Sequence, residues 1–227
     1  MKQSGKKAAS CTISGHQFVQ PTLLEQALTH RSFAKTNNNE RLEFLGDSVL
    51  NLVISQYLFE QLTGSNEGEM SRLRAFLVKE QTLADIARGA QLGSHIKLGD
   101  GELKSGGCYR ESILSDTLEA IIGAIYMDSG FAAAETAVLK LYQDYLKNLP
   151  GAGSLKDPKT RLQEILQARQ IDLPGYEILR TVGKDHNRIF TVKCRIPALS
   201  VEATGKGSSR KKAEQVAADN ILKKWQA

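Results

Sequence analysis

The sequence predicts two folded parts, a mainly α N-terminal domain and a small α+β C-terminal domain. Apolar residues recur at three- and four-residue spacings as far as Leu146, and apolar–polar alternation begins only near Tyr176. Between the two patterns lies LPGAGSLKDPK, Leu149 to Lys159, whose prolines, glycines and small polar residues mark a linker. A chain of 227 residues has room for both parts, and 41% hydrophobic with 24% charged residues is an ordinary globular composition. No apolar run is long enough to span a bilayer. The basic start MKQSGKKAASCTISG lacks the apolar segment of a secretory signal. Cys11, Cys108 and Cys194 form no CxxC pair, which fits free thiols in a reducing, cytoplasmic setting.

Residues 1–149 carry the helical stretches LLEQALTH, RLEFLGDSVLNLVISQYLFEQL, MSRLRAFLVKEQTLADIARGA, ESILSDTLEAIIGAIYMDSG and AAETAVLKLYQDYL. NEGEM, with Glu67 and Glu69, reads as a loop between them, as does the glycine-rich GDGELKSGGCY. The latter lacks the strand–loop–helix setting of a nucleotide-binding loop. Residues 150–158 form the linker. Residues 159–227 then read as a helix from PKTRLQEILQAR, strands from YEILRTV, RIFTVKCRI and SVEATGKG, and a final helix from SSRKKAEQVAADNILKKWQ. Phe190, Val192, Cys194 and Ile196 share one side of the second strand. This α-β-β-β-α order makes a two-layer unit with helices on one face of a sheet.

Charge separates the two parts. The net charge is +5, yet residues 150–227 hold 15 Lys and Arg against 8 Asp and Glu, a balance of +7, which leaves −2 for the remainder. A basic module that binds a polyanion, attached to a body with other work, fits this split.

The body's acids are placed unusually. At about 100° per residue, Asp47 and Glu43 lie about 20° and 60° from Glu40, so all three share a narrow stripe of one helix. Leu42, Leu45, Val49 and Leu52 form the opposite, main apolar face, while Phe44, Leu50 and Ile54 flank the acids. Asp116 and Glu119 share a face of a second helix whose core side is Leu114, Leu118, Ile121 and Ile125. Small Ala120 and Gly123 border them and would admit a close neighbour. Any one such pair could belong to a solvated face. Two apolar-flanked sets, with no His or Cys at ligand spacing, suit Mg²⁺ or Mn²⁺ and metal-assisted phosphodiester hydrolysis. In the basic part, Arg210, Lys211 and Lys212 crowd the start of the last helix, against its dipole unless an anion docks there. Ala213, Val216, Ala217 and Ile221 supply that helix's core side. His30 is expected to pack or hydrogen-bond, and His16 and His95 carry no signal.

NERLEFLGDSVL resembles the signature of the bacterial ribonuclease III family. LTHRSF, NEGEMSRLRAFLV, GELKSGG and RESILSDTLEA resemble that family in the same order, and the C-terminal part is similar to a double-stranded RNA-binding domain. The resemblance covers nearly the whole chain. It implies an all-helical endonuclease domain that forms a homodimer and cuts both strands of duplex RNA with Mg²⁺, leaving 5′-phosphate and 3′-hydroxyl ends with short 3′ overhangs. It also implies work on precursor ribosomal and structured messenger RNA. By the same resemblance Glu43, Asp47, Asp116 and Glu119 bind metal, Asp47 and Glu119 are catalytic, and Glu40 and Glu67 are supporting acids. Thr160, Gln163 and Glu164 would meet one minor groove of the RNA, His186 the next, and Lys211 and Lys212 the phosphates between; Arg210 joins the RNA-binding residues through the basic run it shares with them. If the signature helix packs on its twin, Phe44, Leu50 and Ile54 escape water. From the residues alone, a duplex binder that does not cut and a hydrolase of small nucleotides stay open. The first leaves the acids without use, and the second leaves the basic part unexplained.

Overall fold

Pro21, its φ preset for a helix, opens α1 (Pro21–Ala27). The structure, a computed structural model, describes residues 15–151, 153–183 and 187–226. After α1 come α2 (Glu40–Gln61), α3 (Glu67–Leu77), α4 (Glu80–Gly89), α5 (Asp100–Lys104), α6 (Glu111–Leu141) and α7 (Gln143–Lys147). The chain divides into two units, Met1–Pro150 and Gly151–Ala227.

Two expected loops are partly helical. Glu67 and Glu69 lie in the first turn of α3, because Asn66 and Glu69 form a capping box: the Asn66 side chain accepts from the Glu69 N–H at 3.0 Å, and Glu69 accepts from the Asn66 N–H at 3.2 Å. GDGELKSGGCY contains α5. Within α6 the two expected helices meet at a kink, where Gly130 leaves the helical backbone with a φ of 78°, open to glycine at little cost.

The core of the first unit forms where α2 meets α6. Leu50, Ile54 and Leu58 of α2 are buried with Leu114, Leu118, Ile121, Ile122 and Ile125 of α6, each worth about 1.5–3 kcal/mol of transfer from water. Glycine permits the close approach. A Cβ at Gly46 would collide with the Glu119 backbone, and one at Gly123 with the Leu42 carbonyl. The small residue expected to admit a neighbour, Gly123, therefore does so. The two apolar flanks of α2 are redistributed, however. Leu50 and Ile54 are buried within the single chain and need no twin, whereas Leu52, assigned to the main apolar face, is 55% exposed and Phe44 78%. Helical period gives relative angles along α2, and the Gly46–Gly123 approach decides which face turns inward.

In the second unit α8 (Pro158–Ala168) and α9 (Arg210–Gln226) cover an antiparallel sheet ordered β1 (Gly175–Val182), β2 (Ile189–Ile196) and β3 (Val201–Gly207). Cys194 stands between Tyr176 and Ala203 in the register. Val192, Cys194 and Ile196 point inward, while Phe190 is only half-buried. Leu162, Leu166, Ala217, Ala218, Ile221 and Leu222 pack over the sheet. Val216, expected in this core, is 42% exposed; α9 turns Ala218 and Leu222 inward instead. Cys108 and Cys194 are free thiols. Cys11 lies outside the described residues. Among the described residues no helix is long and apolar enough to cross a membrane.

Candidate metal centre and nucleic-acid interface

Because α2 and α6 touch through glycine, the acids one turn away are drawn together. Glu43 from α2 and Asp116 and Glu119 from α6 present carboxylate oxygens within 4.8 Å of one another. Asp47, one turn further along α2, is exposed, and its Oδ1 accepts from the Asn51 side chain at 2.8 Å. It still belongs to the same field, since after burial its charge acts most on Glu119. Burial, then Asp47, Asp116 and Glu43, push the Glu119 carboxyl up to about 8. Burial, then Asp116, Glu40 and Asp47, raise Glu43 to about 6, with Arg31 opposing. Asp116 is raised as well, chiefly by burial, while the Ser115 hydroxyl hydrogen bond opposes. Crowding of like charges raises these carboxyls together, and a cation between them would relieve the repulsion.

The donor set fits a hard ion. Among the described residues only carboxylate oxygens make up the group, with no thiolate or imidazole nitrogen. Beside the acids runs a cleft of about 430 Å³ lined by His30, Arg31, Glu40, Glu43, Arg110 and Asp116, among others. Glu40 pairs with Arg31 at 3.3 Å, so it balances a cation at the cleft edge. Arg110 is paired with Glu102. His30 is hydrogen-bonded as expected: the Ser32 backbone N–H donates to its Nδ1 at 3.1 Å. Glu67 is not with the cluster. It donates no charge there and instead accepts from the Ser71 hydroxyl at 2.6 Å, beside a groove lined by Leu52, Phe59 and Met70. His16, read as silent, bonds Asp128 at 3.0 Å. The Val19 and Gln20 N–H groups also bond Asp128, which holds that carboxyl down at about 2 against the effect of burial. Gly46, Arg31 and Arg110 were not singled out from sequence. Only Gly46 left a signal there, a lone glycine inside an apolar helix.

In the second unit Thr160, Gln163 and Glu164 lie exposed on α8. Thr160 donates its hydroxyl to the α8 cap Asp157 at 2.7 Å, and Glu164 pairs with Lys156 at 2.6 Å. On α9, Lys211 and Lys212 are exposed without an ion-pair partner among the described residues, and Arg210 is turned to Glu214 at 2.8 Å. His186 lies outside the described residues.

The family model described as ribonuclease-III-like matches residues 20–146, and the double-stranded RNA binding motif matches residues 158–224. The chain belongs to the ribonuclease III family. Ribonuclease 3 of Histophilus somni is 54% identical over 210 residues, covering 92% of this chain and 94% of the relative. That of Actinobacillus pleuropneumoniae is 56% identical over 210 residues, with the same coverage. Among solved structures, the nuclease domain of ribonuclease III from Campylobacter jejuni superposes with a TM-score of 0.60 at 45% identity, covering 64% of this chain and all of that domain. A second structure of that domain, described by its flexibility in a region involved in dimer formation, gives 0.58 at 47% identity over 60% of this chain and 94% of that one. The helical unit is thus a ribonuclease III nuclease domain and the basic unit a double-stranded RNA-binding domain. The family is metal-dependent, and this chain has an acidic cluster able to hold a metal.

Proposed function

We propose that the chain is a Mg²⁺-dependent endoribonuclease that hydrolyses both strands of double-stranded RNA as a cytoplasmic homodimer. The convergence of carboxylates from α2 and α6, in a chain that also carries a duplex-RNA-binding unit, carries this reading. Glu43, Asp47, Asp116 and Glu119 would hold the ion, with Mn²⁺ as a substitute. Once bound, it supplies neutralisation of phosphate charge and a more acidic water. Without it, Glu119 keeps a proton at neutral pH that binding must displace. Asp47 and Glu119 are the catalytic pair. Asp47 is exposed at the edge of the acids, within reach of solvent as a proton acceptor. Glu40 supports by holding Arg31. The products would carry 5′-phosphate and 3′-hydroxyl ends with short 3′ overhangs, and precursor ribosomal and structured messenger RNA are the expected substrates.

The dimer reading rests on α2. Phe44, Leu52 and Phe59 are exposed at 78%, 55% and 72%, and Leu52 and Phe59 border a groove of about 510 Å³. The Campylobacter jejuni nuclease domain, described by a dimer-forming region, supports it. Glu67 at that groove would then support the site from the interface side. On the RNA-binding unit, Thr160, Gln163 and Glu164 would reach one minor groove and His186 the next, with Arg210, Lys211 and Lys212 on the phosphates between. The test is incubation of a long RNA duplex with Mg²⁺ and with chelator, followed by sizing of the products. Glu119→Gln should remove cleavage and leave duplex binding intact. Cleavage at the wild-type rate by that variant refutes the assignment.

A further inference from the structure

Glu214 is the odd charge of the second unit. It is a carboxylate only 7% exposed, in the first turns of a helix that begins with Arg210, Lys211 and Lys212. A buried acid beside a surface that attracts phosphates works against that attraction. If it served stability alone, an apolar side chain could replace it and its partners without loss. Its bonds tell more. It accepts from Lys159 Nζ at 2.7 Å and from Arg210 Nε at 2.8 Å, so cations from α8 and α9 meet on one carboxylate. These partners lower its pKa although burial works the other way.

The next residue extends the seam. Gln215 accepts from the Lys159 backbone N–H at 3.0 Å and donates to Asp157 Oδ1 at 2.7 Å. Asp157 caps α8, taking the Thr160 N–H at 3.0 Å and its hydroxyl at 2.7 Å. An unbroken set of hydrogen bonds therefore joins Thr160, on the exposed face of α8, to Arg210 at the start of α9. Lys159 is fixed on a third side, its Nζ lying 4.5 Å from the centre of the Tyr176 ring. Long cationic side chains lose much rotamer freedom when held this way, and a rigid fork loses less of it at the moment of binding.

We propose that Glu214 is a positioning residue for duplex RNA: it holds the Lys159 and Arg210 head groups and, with Gln215, sets the spacing between the exposed face of α8 and Lys211 and Lys212, so that the unit fits an A-form duplex in preference to a B-form one. The proposal rests on the reading that α8 and the start of α9 meet the RNA. A-form recognition depends on spanning groove and phosphates at a fixed distance, which a mobile pair of helix ends cannot do.

The test compares the full chain and Glu214→Gln for binding to RNA and DNA duplexes of one sequence, by fluorescence anisotropy in chelator. The substitution keeps the size of the side chain and removes one negative charge from the protein. Positioning predicts that RNA binding weakens about fivefold, on the scale of one lost hydrogen bond, while DNA binding is unchanged or tighter. RNA bound as tightly as by wild type, or more tightly, overturns the proposal and leaves Glu214 as a simple counter-charge. Parallel weakening on both duplexes, with fewer active molecules in a stoichiometric titration, also overturns it, since damage to the fold would do that. The Lys211→Gln/Lys212→Gln double variant separates the underlying reading. If it binds RNA as wild type does, that reading fails and takes the proposal with it. If it loses binding while Glu214→Gln does not, the proposal alone falls.

Discussion

Gly46→Ala should be among the most damaging single-methyl changes in the nuclease domain. The new Cβ would stand 2.6 Å from the Glu119 carbonyl carbon and closer still to its oxygen, where ordinary contact begins near 3.4 Å. The helices α2 and α6 must then part by more than about 1 Å, since the oxygen is the closer atom, and that separation falls on the turns that carry Glu43, Asp47, Asp116 and Glu119. Overpacking of this kind costs about 1–3 kcal/mol, partly offset by about 1 kcal/mol from better helix propensity. Function should suffer more, because a displacement near 1 Å at a reacting centre costs about a hundredfold in rate. Expected results are a lowered melting temperature, at least about a hundredfold slower duplex cleavage and weaker Mn²⁺ binding, with RNA affinity retained by the other domain. Gly101→Ala is the matched control, since a Cβ there meets nothing within 4 Å. Cleavage by Gly46→Ala within a few-fold of wild type would refute the reasoning.

Ion binding should release protons. With Glu119 at about 8 and Glu43 at about 6, the free site at pH 7 holds about one proton, nearly all on Glu119. Calorimetric Mn²⁺ titrations in buffers of different ionisation enthalpy should therefore report about one proton per chain at pH 7 and almost none above pH 9; equal values at both would contradict the crowding. The same shift governs stability in chelator. Because the folded-state pKa is raised, Glu119 favours folding below its ordinary value, and that contribution is lost as pH rises from about 4.5 through about 8. Wild type should lose melting temperature across that window, and Glu119→Gln should lose less. Phe44→Ala should raise the dissociation constant of the proposed dimer about a hundredfold or more, since a symmetric interface there would lose the ring twice at about 1.5–3 kcal/mol each. Sedimentation velocity at micromolar concentration checks it, and an unchanged dimer would move the interface off this face.

Much of the site was visible in helical arithmetic. Placing Glu40, Glu43 and Asp47 on one stripe, and Asp116 with Glu119 on another, needs only the period of the helix, and the structure brings Glu43, Asp116 and Glu119 within 4.8 Å. Depth was not visible, because Leu50, Ile54, Leu52 and Phe44 are equally apolar and only the glycine contact of α2 with α6 sorts them. The same limit explains Val216, which has a core residue's chemistry but faces out of α9. The helical start of α3 was legible in principle, for Asn66 and Glu69 stand at capping-box spacing. Glu214 was not. A buried acid gives no sign in a basic stretch until its partner from α8, Lys159, is seen.

The most direct measurement is an anomalous difference map from crystals of the protein soaked in Mn²⁺. A peak bounded by the carboxylates of Glu43, Asp116 and Glu119, and lost in Glu119→Gln crystals, is what the convergence of α2 and α6 predicts. A featureless map at that place, from crystals of protein that still cuts RNA, would contradict it.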